Sequence, residues 1–206
     1  MPRVVLGSRN KKKLKEMVAL LGELGLDLTD LTPYPDAPEI AETAETFLGN
    51  ATLKAIELAP VLATWVIGED SGLVVPALDG APGVYSARFA GTHGDDQANN
   101  DKLLSEMASL TGDQRAAYYV STAVLADPTG KVIAQVEGRC HGLIVTERRG
   151  SGGFGYDPLF LVPEYGKTFG ELPAEVKQQM SHRARAFEQL RPIIEREVLG
   201  RGRTES

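Results

Sequence analysis

The sequence predicts a mixed α/β fold. Three observations lead to this class. The spacing of apolar residues changes repeatedly between two and 3.6, short apolar runs end at glycine or proline, and one strong turn signal joins two strand-like segments. That signal, Asp127-Pro128-Thr129-Gly130, lies between segments 118–126 and 131–137. Because a hairpin makes its two strands antiparallel, it favours a mixed sheet over a purely parallel one.

The first part of the chain predicts alternating strands and helices. Residues 4–6 form a short apolar run that indicates a buried strand, and a second strand is expected at residues 26–31. Between them, apolar residues three and four positions apart predict a helix that ends at Gly25. A third strand is predicted at residues 65–68, followed at once by Glu69 and Asp70.

The connecting segments differ in character. Residues 36–46 predict an acidic loop, and a helix begins near Phe47, with Pro60 at a kink or in its last turn. Glycines and prolines break residues 73–87 into short extended pieces. A further helix is expected at residues 95–110.

The end of the chain predicts a helix over residues 182–199 and a disordered polar tail over residues 200–206. The expected domain organisation is therefore a single domain over residues 1–199.

The composition of the chain argues against several classes of function. The 206 residues contain 22 Lys and Arg against 28 Asp and Glu, and this net charge of −6 argues against the cationic surface that nucleic acids need. A single cysteine leaves no intramolecular disulfide and no cysteine zinc site. No apolar run approaches the length of a membrane span, and no signal peptide is evident, so we expect a cytoplasmic protein without nucleic-acid or membrane partners.

The turn from the first strand into the first helix is a candidate phosphate site. A helix N-terminus presents unpaired N–H groups and a positive dipole, and this one adds hydroxyl, amide and cationic side chains. The residues are Ser8, Arg9, Asn10, Lys11, Lys12 and Lys13. The alternative interpretation is a capped helix with a solvated lysine run, and the spacing does not match a Walker loop.

Two groups of carboxylates form a candidate metal site. Glu69 and Asp70 follow a predicted buried strand, and Glu39, Glu42 and Glu45 share the acidic loop. Carboxylate oxygens suit Mg²⁺, which commonly takes one or two of them together with substrate phosphates. The alternative is a turn, because Asp70-Ser71-Gly72 is also a favoured turn sequence.

The third candidate is the glycine-rich loop over residues 150–158. Its glycines allow a ligand to approach the backbone closely, Phe154 and Tyr156 can stack on a planar base, and Asp157 can accept from ring N–H groups. The alternative is a hairpin loop whose aromatic side chains fill the core.

The fourth candidate lies at the start of the last helix. Ser181 is a suitable N-cap, and it places His182 and Arg183 in a first turn that slightly disfavours cations. With Lys177 nearby, this indicates an anionic or polar ligand, although a lone histidine is also common in structural roles.

Taken together, these segments resemble the family of non-standard purine nucleoside triphosphate pyrophosphatases, the XTP/dITP diphosphatases or inosine triphosphate pyrophosphatases, over residues 4–199. The motifs that carry the resemblance are Ser8-x-Asn10-x-x-Lys13, Glu42-Thr43, Phe47-x-x-Asn50-Ala51, Lys54-Ala55, Glu69-Asp70-Ser71-Gly72-Leu73, residues 80–88, residues 152–158 and Ser181-His182-Arg183.

The resemblance implies an elongated two-lobed mixed α/β fold with a central nucleotide cleft, and a homodimer. It also implies Mg²⁺-dependent cleavage of ITP, dITP and XTP to the monophosphate and pyrophosphate, which clears deaminated purines from the nucleotide pool. Asp70 would bind the metal and accept the proton, and Glu42 would be the second metal ligand. The residues implied to bind substrate are Ser8, Arg9, Asn10, Lys11, Lys12, Lys13, Lys54, Ser71, Phe154, Gly155, Tyr156, Asp157, Lys177, His182 and Arg183.

The chain departs from the family pattern at three positions: Arg9 stands where glycine is frequent, Ser8 replaces threonine, and Glu69 replaces aspartate. The acidic loop permits more than one alignment, so the choice of Glu42 over Glu39 or Glu45 stays open. Other interpretations are a Maf-like nucleotide pyrophosphatase, a non-hydrolytic nucleotide sensor and a nucleic-acid-binding module.

Overall fold

A computed structural model describes residues 1–200, and within them the strands form one seven-stranded sheet. The strands are β1 (Arg3–Leu6), β2 (Asp27–Thr29), β3 (Trp65–Val74), β4 (Ala116–Ala126), β5 (Val132–Ile144), β6 (Phe160–Val162) and β7 (Lys167–Thr168). Their order is β2-β1-β3-β4-β5-β6-β7. Strand β1 is parallel to β2 and β3, whereas β5, β6 and β7 are antiparallel, so the predicted mixed α/β class is confirmed.

The structure has five α-helices within residues 1–200. They are α1 (Lys11–Leu21), α2 (Phe47–Leu62), α3 (Asp96–Glu106), α4 (Ala174–Met180) and α5 (His182–Glu197). The side chains of Asn10, Thr46 and Asp95 cap α1, α2 and α3 by accepting from backbone N–H groups of the first turn. In this part of the chain, no helix combines the length and the apolar character needed to cross a membrane.

The chain divides into two compact units. Unit 1 consists of Met1–Asp70, Ser121–Gly138 and the described residues from Arg183 onward. Unit 2 consists of Ser71–Val120 and Arg139–His182. Each has its own apolar core, and the core of unit 2 contains the aromatic side chains of Tyr119, Phe160 and Phe169.

In unit 1 the strands β1 and β3 are buried on both faces, because successive side chains point to opposite sides. Val4 and Ile67 pack with residues of α1 and α5, whereas Val5 and Val66 pack with α2. Gly68 allows α2 to approach closely, since a Cβ there would lie 2.0 Å from the carbonyl oxygen of Ala51. This alternation continues beyond Gly68 and decides which way the next two side chains point.

Several boundaries differ from the sequence prediction. Strand β3 continues to Val74 instead of ending at residue 68, so Glu69 and Asp70 lie inside a strand. Residues 73–87, predicted as extended pieces, contain two short 3₁₀ helices at Pro76–Leu78 and Gly83–Arg88. Helix α4 was not predicted. The predicted tail lies, apart from Gly200, outside the described residues.

Candidate active site

The site in unit 1 is built on β3, where two consecutive carboxylates are buried on opposite faces. Ile67 belongs to the cluster of α1 and α5, and Glu69, two residues on, lies on the same face. Val66 belongs to the cluster of α2, and Asp70 lies on that face. Both carboxylates are nearly inaccessible to solvent. Buried carboxylates need partners, and the partners on the two faces differ.

On the α2 face, Asp70 lies against two side chains one helical turn apart. Asn50 Nδ2 donates to Asp70 Oδ2 at 3.3 Å, and Lys54 Nζ is 3.4 Å from Asp70 Oδ1. Lys54 Nζ is also 2.5 Å from Glu42 Oε1 and donates to the carbonyl oxygen of Glu69 at 3.2 Å. Two carboxylates from distant segments therefore converge on one ammonium group.

The electrostatics of this face leave Asp70 only partly compensated. Burial raises the pKa of the Asp70 carboxyl, the ammonium groups of Lys54 and Lys13 oppose this, and Glu42 and Glu69 add to the rise. The pKa stays above the ordinary aspartate value. Burial lowers the pKa of Lys54, but Asp70 and then Glu42 outweigh it and raise that pKa above its usual range. Lys54 is therefore held as a cation.

On the opposite face, Glu69 is surrounded by donors. Ser121 Oγ donates to Glu69 Oε1 at 2.8 Å, and Lys13 Nζ is 2.6 Å from Oε2. Arg183 donates to Oε1 through Nε at 3.1 Å and Nη2 at 3.0 Å. The remaining Arg183 Nη1 bonds to Glu16 of α1. Burial raises the pKa of Glu69, but Arg183 and then Lys13 outweigh it and hold the pKa well below the usual range.

In the candidate phosphate turn, some side chains order the backbone and others pair with carboxylates. Asn10 Oδ1 caps α1 and Ser8 Oγ accepts from the backbone N–H of Asn10, so both order the turn itself. Lys13 reaches Glu69, whereas Lys11 Nζ is 2.9 Å from the buried carboxylate of Asp30. Arg9 and Lys12 are exposed, and Arg9 donates to the carbonyl oxygens of Tyr34 and Ala37.

Of the three acidic-loop glutamates, Glu42 alone is paired with Lys54 in the described contacts, and Glu39 and Glu45 are exposed. Asn50 fixes this loop, because its Oδ1 accepts from the backbone N–H of Ala44 at 2.9 Å. One buried amide thus links the loop that carries Glu42 to Asp70.

The carboxylates fit a divalent cation that is shared with a ligand. No group of three or more His, Cys, Asp and Glu side chains in residues 1–200 is arranged as an all-protein metal site. Asp70 and Glu42 already converge on a cationic atom, Lys54 Nζ, and burial disfavours the uncompensated charge on Asp70. Two carboxylates with phosphate oxygens completing the shell is the usual arrangement for Mg²⁺.

In unit 2, the glycine-rich loop is organised around Asp157. Its Oδ2 accepts from the backbone N–H of Phe154 at 2.8 Å and is 2.5 Å from Lys177 Nζ. Gly153 has φ +73°, and a Cβ there would lie 1.9 Å from Asp157 Oδ2, so both conformation and space require glycine. The Lys177 ammonium group lies 4.7 Å from the centroid of the partly exposed Phe154 ring.

Three other predicted residues of unit 2 are Tyr156, His182 and Ser71, and the first two are buried. The Tyr156 side chain is 3% exposed, its hydroxyl donates to the carbonyl oxygen of Ser86, and burial raises its pKa. This placement matches the interpretation in which an aromatic residue of the loop fills the core. His182 stacks on Tyr119 with ring centroids 4.7 Å apart, and Ser71 is partly buried on β3. Arg183, expected near the base, belongs to unit 1 and contacts Glu69 and Glu16.

Sequence reasoning missed three side chains of the unit 1 site: Asn50, Ser121 and Glu16. Asn50 had a usable signal, because it lies four residues before Lys54 and the two must share one helix face. Ser121 and Glu16 had none, since their role depends on which side chains meet across distant segments.

Unit 1 of this mixed α/β protein thus combines buried carboxylates with ammonium groups in one cluster. The chain belongs to the Ham1 family, whose model matches residues 4–193. Proteins named dITP/XTP pyrophosphatase are similar along nearly their whole length. The protein from Rhodopirellula baltica is 52% identical over 195 residues, which are 95% of this chain and 94% of that protein. The protein from Geobacter sulfurreducens is 48% identical, with 91% and 94% covered.

Solved structures agree. A HAM1 protein from Coxiella burnetii superposes with a TM-score of 0.85 at 36% identity, covering 94% of this chain and 98% of that one. The Ham1 protein of Staphylococcus aureus gives a TM-score of 0.83 at 35% identity, with 94% and 98% covered. The family resemblance predicted from the motifs is confirmed.

Proposed function

We propose that this chain hydrolyses non-standard purine nucleoside triphosphates, namely ITP, dITP and XTP, to the monophosphate and pyrophosphate. The observation that carries the proposal is the convergence of Asp70 and Glu42 on Lys54. A second ammonium group, that of Lys13, pairs with Glu69 on the other face of β3 and also opposes the rise that burial causes in the pKa of Asp70. The names of relatives at 45–52% identity supply the substrate class. The role would be to remove deaminated purines from the nucleotide pool.

Asp70 and Glu42 are the proposed ligands of Mg²⁺. When bound, the ion would neutralise triphosphate charge and charge that develops on the leaving group. The chain's own contribution is to hold these carboxylates where burial makes a second cation favourable, which the raised pKa of Asp70 supports. Asn50 keeps both in place, since it bonds to Asp70 and to the loop of Glu42.

Asp70 is also the proposed proton acceptor. It orients a water molecule and takes its proton while the water oxygen bonds to the α-phosphorus and the bond from this phosphorus to the bridging oxygen of the β-phosphate breaks. Pyrophosphate leaves with the electron pair of that bond. A pKa above the ordinary aspartate value makes Asp70 a stronger base, which favours general-base catalysis.

The cations of unit 1 are the proposed partners of the triphosphate. Lys13 and Lys54 are each ion-paired with buried carboxylates, so their charges are preorganised rather than solvated. The turn over residues 8–13 offers further donors, although Lys11 and Arg9 also contact other parts of unit 1. We assign leaving-group stabilisation first to Lys13 and Lys54.

Unit 2 carries the proposed base recognition. Phe154 would pack on the purine, with Asp157, Lys177 and His182 around its edge. A 6-oxo group accepts a hydrogen bond, whereas the 6-amino group of adenine donates one, so a buried donor separates the two bases. The contact of Lys177 with the Phe154 ring supports Lys177 in this role, and its ammonium group is paired with Asp157 of the same loop. The Arg183 guanidinium is bound by Glu69 and Glu16 in unit 1.

The further expectations concern assembly and location. We propose a cytoplasmic homodimer without nucleic-acid or membrane partners. The resemblance to the pyrophosphatase family supports the homodimer, and the net charge of −6 supports the absence of extended polyanion partners.

A substrate panel tests the function. The purified chain with Mg²⁺ is given ITP, dITP, XTP, ATP and GTP, and pyrophosphate and orthophosphate are measured separately. We expect pyrophosphate from the first three at a kcat/KM at least about 100-fold above that for ATP. Orthophosphate as the main product, or equal rates for ATP and ITP, would overturn the proposal. Binding without release of either product would favour the sensor.

A further inference from the structure

Helix α3 holds the backbone of the glycine-rich loop at a single residue. Asp96 and Asn100 are four positions apart and therefore share one face of this helix. Asp96 Oδ2 accepts from the backbone N–H of Gly155 at 2.9 Å. Asn100 Nδ2 donates to the carbonyl oxygen of Gly155 at 2.8 Å and to that of Asp96 at 2.5 Å. Both backbone polar groups of Gly155 are thus bound by one helix face.

The position of Gly155 in the loop makes this attachment consequential. Its φ of +61° is the left-handed region, where glycine carries no steric penalty. On one side, the N–H of Phe154 is bound by Asp157, and on the other the hydroxyl of Tyr156 is bound by the carbonyl oxygen of Ser86. Gly155 lies between these two anchored residues. Its attachment to α3 therefore sets the orientation of Phe154 in the loop.

The hydrogen bonds of the Asn100 amide also indicate that this side chain serves to hold Gly155. Asn100 is 3% exposed, and its Oδ1 is buried without a hydrogen-bond partner among residues 1–200. A buried acceptor without a partner is unfavourable, and an apolar side chain would avoid it. The two donors of this amide are the groups that the fold uses, and both bind carbonyl oxygens at the Gly155 attachment.

The neighbouring Asn99 supplies a built-in contrast. It is equally buried, at 2% exposure, and lies on the same helix. Its Oδ1 accepts from the N–H of Ala90 and its Nδ2 donates to the carbonyl oxygen of Ala87, so its described hydrogen bonds serve a different loop. Truncating Asn99 removes a buried amide from α3 without removing a bond to Gly155.

We propose that Asp96 and Asn100 are positioning residues for base recognition, which hold Gly155 so that Phe154 is preorganised for the purine. The inference rests on the proposed function for its consequence in catalysis, but its structural content does not depend on it. A loop that is ordered before binding costs less affinity, so loss of the attachment weakens binding of the base. The triphosphate contacts of unit 1 are unaffected.

The structural content is tested by hydrogen exchange on the free protein. The amide of Gly155 in Asp96→Ala and Asn100→Ala is expected to exchange at least about tenfold faster than in the wild type, because its bond is removed or loosened. In Asn99→Ala it exchanges at the wild-type rate. If Asn100→Ala does not fold, the exchange of Gly155 in Asp96→Ala alone decides the test. Unchanged exchange in both the Asp96 and Asn100 variants, or the same change in Asn99→Ala, overturns the proposal.

The catalytic consequence is tested by separating base from phosphate. For Asn100→Ala we expect KM for ITP to rise about tenfold with kcat within about twofold, since preorganised binding is lost rather than transition-state contacts. Inhibition by inorganic tripolyphosphate, which has no base, stays within about twofold of the wild type. Equal weakening toward tripolyphosphate, or the same KM change in Asn99→Ala, overturns it. A wild type inactive on ITP contradicts the proposed function instead, and the exchange result still decides the attachment.

Discussion

Glu69 and Asp70 are adjacent acids in one strand, yet their surroundings differ in a way that separates structure from chemistry. Glu69 is bound by Ser121, Lys13 and Arg183, and its pKa lies well below the usual range. Asp70 has one amide and one shared ammonium group, and its pKa is raised. More donors face Glu69 on the first face of β3 than face Asp70 on the second.

The different surroundings of Glu69 and Asp70 indicate which of the two carboxylates is available to react. A carboxylate that is stabilised in its ionised form is a poor base and holds its partners in place. A carboxylate that is buried among other acids gains from taking up a proton or a cation. We therefore assign the scaffold role to Glu69 and the reactive role to Asp70, and the following variants test this contrast.

The largest effect on stability is expected for Glu69→Gln. Arg183 is 2% exposed and would lose the charge of its main partner, and breaking a buried pair costs about 3–5 kcal/mol of the free energy of unfolding. Chemical denaturation at neutral pH measures it. Glu39→Gln, an exposed acid, is the control and should stay within about 0.5 kcal/mol of the wild type. A Glu69 variant as stable as this control would remove the scaffold role.

Lys177→Met should weaken recognition of the purine base and leave recognition of the triphosphate intact. It removes the ammonium group that pairs with Asp157 and lies over the Phe154 ring. KM for ITP should rise about 10- to 100-fold, because a buried partner is left unpaired, and inhibition by tripolyphosphate should be retained. Lys54→Met, the matched change in unit 1, should weaken both. Identical profiles for the two variants would contradict the division between phosphate and base.

Ser121→Ala removes the neutral donor to Glu69 while the cations remain. The expected loss is about 1 kcal/mol of unfolding free energy, the usual value for one hydrogen bond. The same denaturation assay measures it, and Thr122→Ser, which keeps a hydroxyl on β4, is a control for changes in that strand. A loss as large as that of Glu69→Gln would show that the hydroxyl, rather than the ion pairs, holds the carboxylate.

Asp70→Asn should act in the opposite direction to Glu69→Gln and stabilise the chain. A raised folded pKa means that the ionised form is less favourable in the folded than in the unfolded state, so at neutral pH Asp70 costs stability. Removing the charge should therefore raise the free energy of unfolding, as substitutions at functional sites often do. A loss of stability in this variant would contradict the account of the α2 face.

The pH dependence of the free energy of unfolding should also distinguish Asp70 from Glu69. The cost of Asp70 disappears as the pH falls through its raised folded pKa, so the gain from Asp70→Asn should shrink in acid. The contribution of Glu69 is present above its unfolded pKa and is lost only as the pH falls through its depressed folded pKa. Unfolding curves of wild type and Asp70→Asn between neutral and acid pH give the difference. A constant difference would argue against the raised pKa.

Much of the fold was predictable because it rests on local rules. A short apolar run located β1, helical apolar spacing located α1, and a turn signal located the β4–β5 hairpin. The true length of β3 was hidden because Glu69 and Asp70 interrupt its apolar pattern. Their charges are tolerable in a buried strand because of partners on α1, α2, β4 and α5, which no local pattern reveals.

The candidate site was likewise predictable only in part. The residue types of Glu42, Lys54 and Asp70 were identifiable from their motifs, and the structure brings these three together. The partners of Lys11 and Arg183 were not, because each binds carboxylates far away in the sequence, at Asp30 and at Glu16. Sequence motifs indicate which groups a site uses, and tertiary packing decides which of them are bound to one another.

The most direct test of the reactive role is to measure ITP binding and pyrophosphate release in Asp70→Asn at saturating Mg²⁺, beside Ser121→Ala as a control on the other face of β3. We predict that Asp70→Asn binds ITP within about threefold of the wild type but releases pyrophosphate about 10²- to 10⁴-fold more slowly, as loss of a general base implies. Ser121→Ala should keep nearly full turnover. Wild-type turnover in Asp70→Asn would contradict the assignment of Asp70 as the proton acceptor.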